Sequence, residues 1–152
     1  MTELNTIGFE RNRSTATDVL THLQEVSANF RPPLDQRIDL SAYASKMYEK
    51  AERFEAWEAG KLEGLIAVYA NDPQREKAFI TNVSVTIKLM GKGIANQLLE
   101  NCEQFTTEMG YREIHLEVGK DAVPAIRFYT KHGYEEIRQT ETSKFMYKKL
   151  TK

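Results

Sequence analysis

Apolar and polar positions along the chain change period several times, and each change marks an element. Ser14 is placed to cap a helix in which Ala16, Val19, Leu20, Leu23 and Val26 recur at helical spacing. Pro32-Pro33 stops that helix, because proline lacks the N–H and restricts the residue before it. Asp39 or Ser41 can cap a second helix carrying Leu40, Tyr43, Ala44, Met47, Tyr48 and Ala51. The period then shortens. Phe54, Ala56 and Trp57 belong to a strand ending at Gly60-Lys61, a hairpin signal, and Leu65 to Tyr69 is a near-continuous apolar strand. Asn71-Asp72-Pro73 marks a loop, and Lys77 to Val85 the next strand. Helical spacing returns from Gly93 to Met109, with Ile94, Ala95, Leu98, Leu99, Cys102, Phe105 and Met109 on one face and Gly110 as C-cap. From Arg112 to Val118, Ile114, Leu116 and Val118 alternate with Glu113, His115 and Glu117, which is a strand. Asp121 caps a last helix from Ala122 to Lys131, with Pro124 in its first turn. Tyr134 to Arg138 and Lys144 to Lys149 form a terminal antiparallel pair, and a short strand covers Thr6 to Arg11. This order predicts an α/β (or α+β) fold, a mixed sheet with helices on both faces.

Composition narrows the picture. A chain of 152 residues is one domain by size, and 41% hydrophobic with 28% charged residues describes an ordered globular protein. A net charge of -1 with both signs interspersed speaks against a nucleic-acid binder. No apolar run reaches the roughly 20 residues of a membrane span, and the polar N-terminus has no signal-peptide pattern. The lone Cys102 cannot form an internal disulfide, which fits a reducing cytoplasm, and its place on an apolar stripe makes it a core residue rather than a nucleophile. His22, His115 and His132 show no HxxxH or HxH spacing, so no metal site is expected.

The stretch with chemistry in it runs from Val83 to Ala95: a strand end, a glycine turn and a helix start. A helix start leaves about four N–H groups without intrahelical acceptors, and the macrodipole adds roughly half a positive charge. Such a place binds anions, phosphate above all. A P-loop needs G-x-x-x-x-G-K-S/T, which is absent. The dinucleotide pattern G-x-G-x-x-G/A fails because Asn96 takes the third small position and the strand is not the first of a βαβ unit.

One spacing fits: Q/R-x-x-G-x-G/A, met by Lys88-Leu89-Met90-Gly91-Lys92-Gly93. Downstream come Leu116-Glu117-Val118, then Pro124-Ala125-Ile126-Arg127-Phe128-Tyr129, then Gly133-Tyr134. On these residues the chain resembles the GCN5-related N-acetyltransferase (GNAT) superfamily, through its motif A and its L-E-V … N-x-x-A-I-x-x-Y-x-x-x-G-F/Y segment. The resemblance spans Phe54 to the C-terminus and, more loosely, the first two helices. It implies a mostly antiparallel central sheet of six to seven strands with about four helices. It also implies an N-acetyltransferase that moves acetyl from acetyl-CoA to a primary amine of a small molecule, or a peptide N-terminus, by direct attack.

By the same resemblance the pyrophosphate falls on Met90, Gly91, Lys92, Gly93, Ile94 and Ala95, with Lys88 in the usual Gln or Arg place and retaining a donor. Val83 and Val85 belong to the strand whose backbone N–H polarises the thioester carbonyl, the N–H of Val85 or a neighbour. Ala122, at a cofactor-binding position by the resemblance, stands where the family commonly has an Asn that hydrogen-bonds the pantetheine arm, so the resemblance does not carry that contact over. Tyr129 matches the general acid, against the reading of a core aromatic. Glu117 matches the base of some members, against that of a solvated or salt-bridged strand residue; Glu63, Glu55, Glu58 and Ser84 are further candidates. The first two helices set the acceptor, through Phe30, Arg31, Pro32, Pro33, Leu34, Asp35, Arg37, Tyr43, Met47, Tyr48, Phe54 and Trp57. An amino sugar, an aminoglycoside-like molecule and a peptide N-terminus all suit them. Members often dimerise through terminal strands, and a homodimer is compatible with this chain. A competing class is a non-catalytic GNAT-like acyl-CoA sensor, favoured only by Ala122; a generic nucleotide-binding domain rests on the glycine turn alone.

Overall fold

A computed structural model describes residues 6–30 and 33–150. Seven strands form one sheet in the order β1-β2-β3-β4-β5-β7-β6. They are β1 (Ile7–Arg11), β2 (Glu52–Glu58), β3 (Lys61–Tyr69), β4 (Lys77–Val85), β5 (Glu113–Gly119), β6 (Glu135–Gln139) and β7 (Ser143–Lys149). Neighbours are antiparallel except β4 and β5, which run parallel. Among the described residues four α-helices cover the sheet: α1 (Ala16–Val26), α2 (Leu40–Lys50), α3 (Ile94–Glu108) and α4 (Val123–Lys131).

β3 explains the two layers. Its apolar run is continuous because both faces are covered. Leu65 and Ala67 pack with Val19 and Leu23 of α1 and Ala44 and Met47 of α2, while Ile66 and Val68 pack with Leu98, Leu99 and Cys102 of α3. Gly64 lets α3 approach: a Cβ there would lie 3.1 Å from Ile94 and 3.3 Å from Leu98. Cys102 is buried in this layer as a core thiol.

Several helix and strand ends depart from the sequence reading. The cap of α1 is Thr15, whose side chain accepts from the Asp18 N–H while Asp18 accepts from the Thr15 N–H. This capping box satisfies two otherwise orphaned donors. Ser14 is drawn inward instead, with its N–H and hydroxyl on Glu55. α2 is capped by Asp39. The β2–β3 turn sits on Ala59 and Gly60, both at positive φ, one residue before the position read from the sequence. Ala122 rather than Asp121 is the residue before α4, and no side chain caps that helix.

Two irregularities in the sheet prepare the site. The β3–β4 pairing runs Gly64↔Val85, Leu65↔Ser84, Ile66↔Val83, Ala67↔Asn82 and then Val68↔Ile80, so Thr81 is an extra residue on β4. Such a bulge changes which face the following residues take. Ile80 lies on the α3/α4 face, and beyond the bulge Asn82 and Ser84 face α1 and α2 with Ala67 and Leu65. The Tyr43 hydroxyl of α2 pins the bulge by donating to the Thr81 carbonyl. Further, β4 and β5 pair only from Lys77↔Glu113 to Ile80↔Leu116. After that they part.

Candidate active site

Where β4 and β5 part, a cavity of about 1470 Å³ opens through the sheet. Its walls come from both faces: Tyr43, Asn82, Ser84 and Glu117 from the α1/α2 side, and Ile94, Ala122 and Tyr129 from the α3/α4 side. Val83 and Val85 also line it. The Thr86 N–H donates to the Glu63 carbonyl on β3. Strand alternation therefore turns the N–H and C=O groups of Val83 and Val85 away from β3, toward the edge that β5 has left.

The glycine turn follows a short 3₁₀ turn, Ile87–Leu89, whose bonds include Met90 N–H to the Ile87 carbonyl. That removes the Met90 N–H from the set available to an anion. Gly91 and Gly93 both have φ of +79°, a left-handed conformation that suits glycine. Gly93 is the residue before α3 and caps it with no side chain. The first helical bond runs from Gln97 N–H to the Gly93 carbonyl, so the N–H groups of Ile94, Ala95 and Asn96 precede the ladder. Gly91, Gly93, Ile94, Ala95 and Asn96 line the cavity. An uncapped helix start opening into a cavity fits a bound pyrophosphate.

Lys88 and Lys92 are not on that wall. The Lys88 ammonium lies 2.9 Å from Glu58 and 3.5 Å from Glu63. The motif spacing thus fits the cavity two residues later than the sequence suggests, as Met90-Gly91-Lys92-Gly93-Ile94-Ala95, because Gly93 is the residue that opens the helix. In that register Met90 takes the Gln or Arg place and supplies no donor.

Tyr129 is 7% exposed, packed edge-on against Phe128 and Tyr134, with ring centroids 5.5 and 5.8 Å away. Burial raises its pKa, so the hydroxyl stays protonated at neutral pH. Among the described residues that hydroxyl has no hydrogen-bond partner, and the residue lines the cavity. Glu117 lies on the opposite face from Leu116 and Val118, is exposed, and has no ion pair among the described residues. Ala122 lines the cavity as a methyl-bearing residue between Asp121 and α4.

The other candidate bases are committed elsewhere. Glu55 is fully buried and accepts from the N–H groups of Arg13 and Ser14, the Ser14 hydroxyl and the Trp57 indole, with Arg53 at 3.6 Å. Glu63 accepts from Thr86 and Glu58 from Thr6, and both hold Lys88. Ser84 does face the cavity, joined to Asn82 at 2.8 Å and to His22 of α1 at 2.8 Å. Sequence reasoning missed Asn82 and His22. The available signal was a pair of polar residues, Asn82 and Ser84, interrupting an apolar strand.

On the acceptor side, Phe30, Leu34, Arg37 and Tyr43 line the cavity, whereas Asp35, Met47, Tyr48, Phe54 and Trp57 do not. Arg31 and Pro32 lie outside the described residues. Among the described residues no group of three or more His, Cys, Asp or Glu is placed to hold a metal, and no helix is long and apolar enough to cross a membrane.

A model of the acetyltransferase (GNAT) family matches residues 17–134. No curated protein matches the sequence. Many solved structures share the fold. Ard1 from Thermoplasma volcanium is 16% identical, with a TM-score of 0.78 over 97% of this chain and 99% of that one. The ribosomal-protein-S18-alanine N-acetyltransferase from Escherichia coli is 18% identical, with a TM-score of 0.75 over 96% and 95%. PaiA N-acetyltransferase from Thermoplasma acidophilum, solved in complex with coenzyme A, is 16% identical, with a TM-score of 0.72 over 93% and 99%.

Proposed function

The chain belongs to the GNAT acetyltransferase family of acetyl-CoA-dependent enzymes, and on that premise we propose that it acetylates a primary amine of a small molecule by direct attack on the thioester. One observation carries this reading: the parted β4–β5 edge leads straight into an uncapped helix start. Acetyl-CoA supplies the activated acyl group. The N–H groups from Gly91 to Asn96 are suited to its pyrophosphate, and the free edge at Val83 and Val85 to the amide groups of its pantetheine arm. A Val83 or Val85 N–H is placed to stabilise charge developing on the carbonyl oxygen.

Tyr129 reaches the cavity from the α3/α4 face and is our choice for protonating the departing thiolate. The amine enters from the α1/α2 face. An alkylamine with a pKa of ~10 must shed a proton before it attacks, and Glu117, a carboxylate on that face with no ion pair among the described residues, is our choice for the base. Holding both reactants across the gap supplies much of the remaining rate. A peptide N-terminus could also reach the α1/α2 opening, as the name of the E. coli neighbour illustrates. The lone buried Cys102 suits a cytoplasmic setting.

Calorimetry with acetyl-CoA, CoA and NAD, followed by a thiol-release screen over primary amines, tests the proposal. Acetyl-CoA binding without NAD binding, and thiol release that depends on an amine, are expected. Acetyl-CoA binding with no turnover of any amine would favour the sensor reading, and no binding would defeat both.

A further inference from the structure

On the α1/α2 wall the side chains of Tyr43, Asn82 and Ser84 line the cavity, with His22 buried behind Ser84. The Tyr43 hydroxyl gives its only hydrogen to the Thr81 carbonyl, an obligatory acceptor. Its oxygen also lies 2.8 Å from the Thr81 hydroxyl. Next along β4, the Ser84 hydroxyl donates to Asn82 Oδ1 at 2.8 Å. With its hydrogen spent, the Ser84 oxygen can only accept from His22 Nε2 at 2.8 Å. His22 is thus the neutral Nε2–H form, and its buried Nδ1 has no partner among the described residues. Burial, the dominant influence on His22, lowers its pKa to about 4 and keeps the ring neutral; Lys61 pulls the same way, while Glu25 and the backbone of Leu62 and Ser84 pull against it. A hydroxyl has one hydrogen and two lone pairs. After His22 and Asn82 are served, Ser84 keeps one lone pair, and Ser84 lines the cavity while His22 does not.

We propose that Ser84 receives the acceptor amine, its Oγ taking one amine N–H, and that His22 is the positioning residue which leaves that oxygen able only to accept. This rests on reading the cavity as an acetyl-transfer site. The amine keeps its nitrogen lone pair for the thioester, and no proton passes to His22. The ligand class follows: an acceptor must present an N–H in addition to its attacking lone pair, which primary and secondary amines do and tertiary amines do not.

The first test is ¹⁵N NMR of the His22 ring in the intact protein. The proton should sit on Nε2, with no titration between pH 5.5 and 9; a proton on Nδ1 would make Ser84 the donor and overturn the proposal. The second test uses the amine found by the thiol-release screen. Ser84→Ala should lower kcat/KM for it about tenfold, the value of one hydrogen bond in place, with acetyl-CoA affinity unchanged. His22→Leu should do the same, the double variant no worse, and His22→Gln, which keeps an N–H at that place, should recover most of the loss. An unchanged Ser84→Ala enzyme, or a His22→Gln enzyme as poor as His22→Leu, would overturn the assignment. Loss of acetyl-CoA binding by the unaltered protein would instead strike the acetyl-transfer reading itself.

Discussion

On the α3/α4 face the site is made mostly of backbone: the free edge at Val83 and Val85, the glycines at φ +79°, and the N–H groups that open α3. On the α1/α2 face it is made of side chains drawn from three elements, His22 from α1, Tyr43 from α2, and Asn82 and Ser84 from β4. A backbone site constrains the sequence locally, because only certain residues permit the required φ and a helix must start at a fixed point. A side-chain site can be assembled from positions 62 residues apart, as His22 and Ser84 are. On the proposed reading the donor half is built from backbone and the acceptor half from side chains, and they meet where β4 and β5 separate.

The sharpest way to break this contrast is to remove the one donor-side side chain with an assigned chemical task. Tyr129→Phe removes the hydroxyl but keeps the ring against Phe128 and Tyr134. With a general acid lost, kcat should fall by roughly 10²- to 10⁴-fold, while acetyl-CoA affinity by calorimetry stays put. If kcat were unchanged, the donor face would be backbone throughout and Tyr129 only a core ring. Its counterpart across the gap is Glu117→Gln, expected to cost about 10²-fold in kcat. An unchanged kcat would move the base elsewhere, and Glu55, Glu63 and Glu58 are poor replacements because each is held by structural partners.

The same contrast governs what could be read from the sequence. The extent of β4, Lys77 to Val85, is legible from its extended apolar pattern, and the α3 stripe from Ile94 to Cys102 because it keeps one period along one stretch. The glycine turn reads as an anion site from the sequence, and the same spacing fits the cavity two residues further along. Lys88 looks like a phosphate ligand by type, and only the packing of Glu58 and Glu63 around it reveals its ion pairs. Ser14 likewise suits a cap by type, but the buried Glu55–Arg53 pair claims it and the next residue, Thr15, takes the role. The Thr81 bulge has no sequence signature here, and without it Asn82 and Ser84 would be assigned to the wrong face. Histidine at 22 falls on the apolar stripe of α1, where nothing local announces Ser84 as its partner.

A pH dependence of stability sharpens the acceptor side. The folded His22 pKa, about 4, lies below the ordinary value of 6.5. Between these values the unfolded chain binds a proton that the folded chain refuses, so stability rises with pH across that window. The contribution is fully present above pH 6.5 and is lost as pH falls through 4, amounting to on the order of 3 kcal/mol. Urea midpoints from pH 4 to 7 should show this slope, and His22→Gln should abolish the part due to this residue. An identical slope in the variant would mean that His22 is charged or solvated in the native protein. On the donor side Gly93→Ala probes backbone alone: a Cβ meets no atom within 4 Å, so any cost is conformational, about 1 kcal/mol for the left-handed φ. Acetyl-CoA should bind roughly tenfold more weakly if the turn opens to relieve that strain.

The smallest expected effect discriminates best between two accounts of the donor half. If pyrophosphate is held by backbone N–H groups, Lys88 contributes only through its ion pairs with Glu58 and Glu63, and 61% of its side chain is exposed. The ammonium end is exposed, whereas the Glu58 and Glu63 carboxylates it pairs with are buried. Lys88→Gln retains a donor toward Glu63 and should change the acetyl-CoA Kd less than about threefold at moderate salt, while a direct lysine–phosphate contact would cost tenfold or more. Raising ionic strength separates them further. The backbone account predicts that the parent and Lys88→Gln proteins lose affinity in parallel, because the same N–H groups and helix dipole serve both. A contact through the ammonium predicts a shallower salt dependence in the variant, and in that case the motif register beginning at Lys88 would return, with Met90 demoted to a residue of the turn.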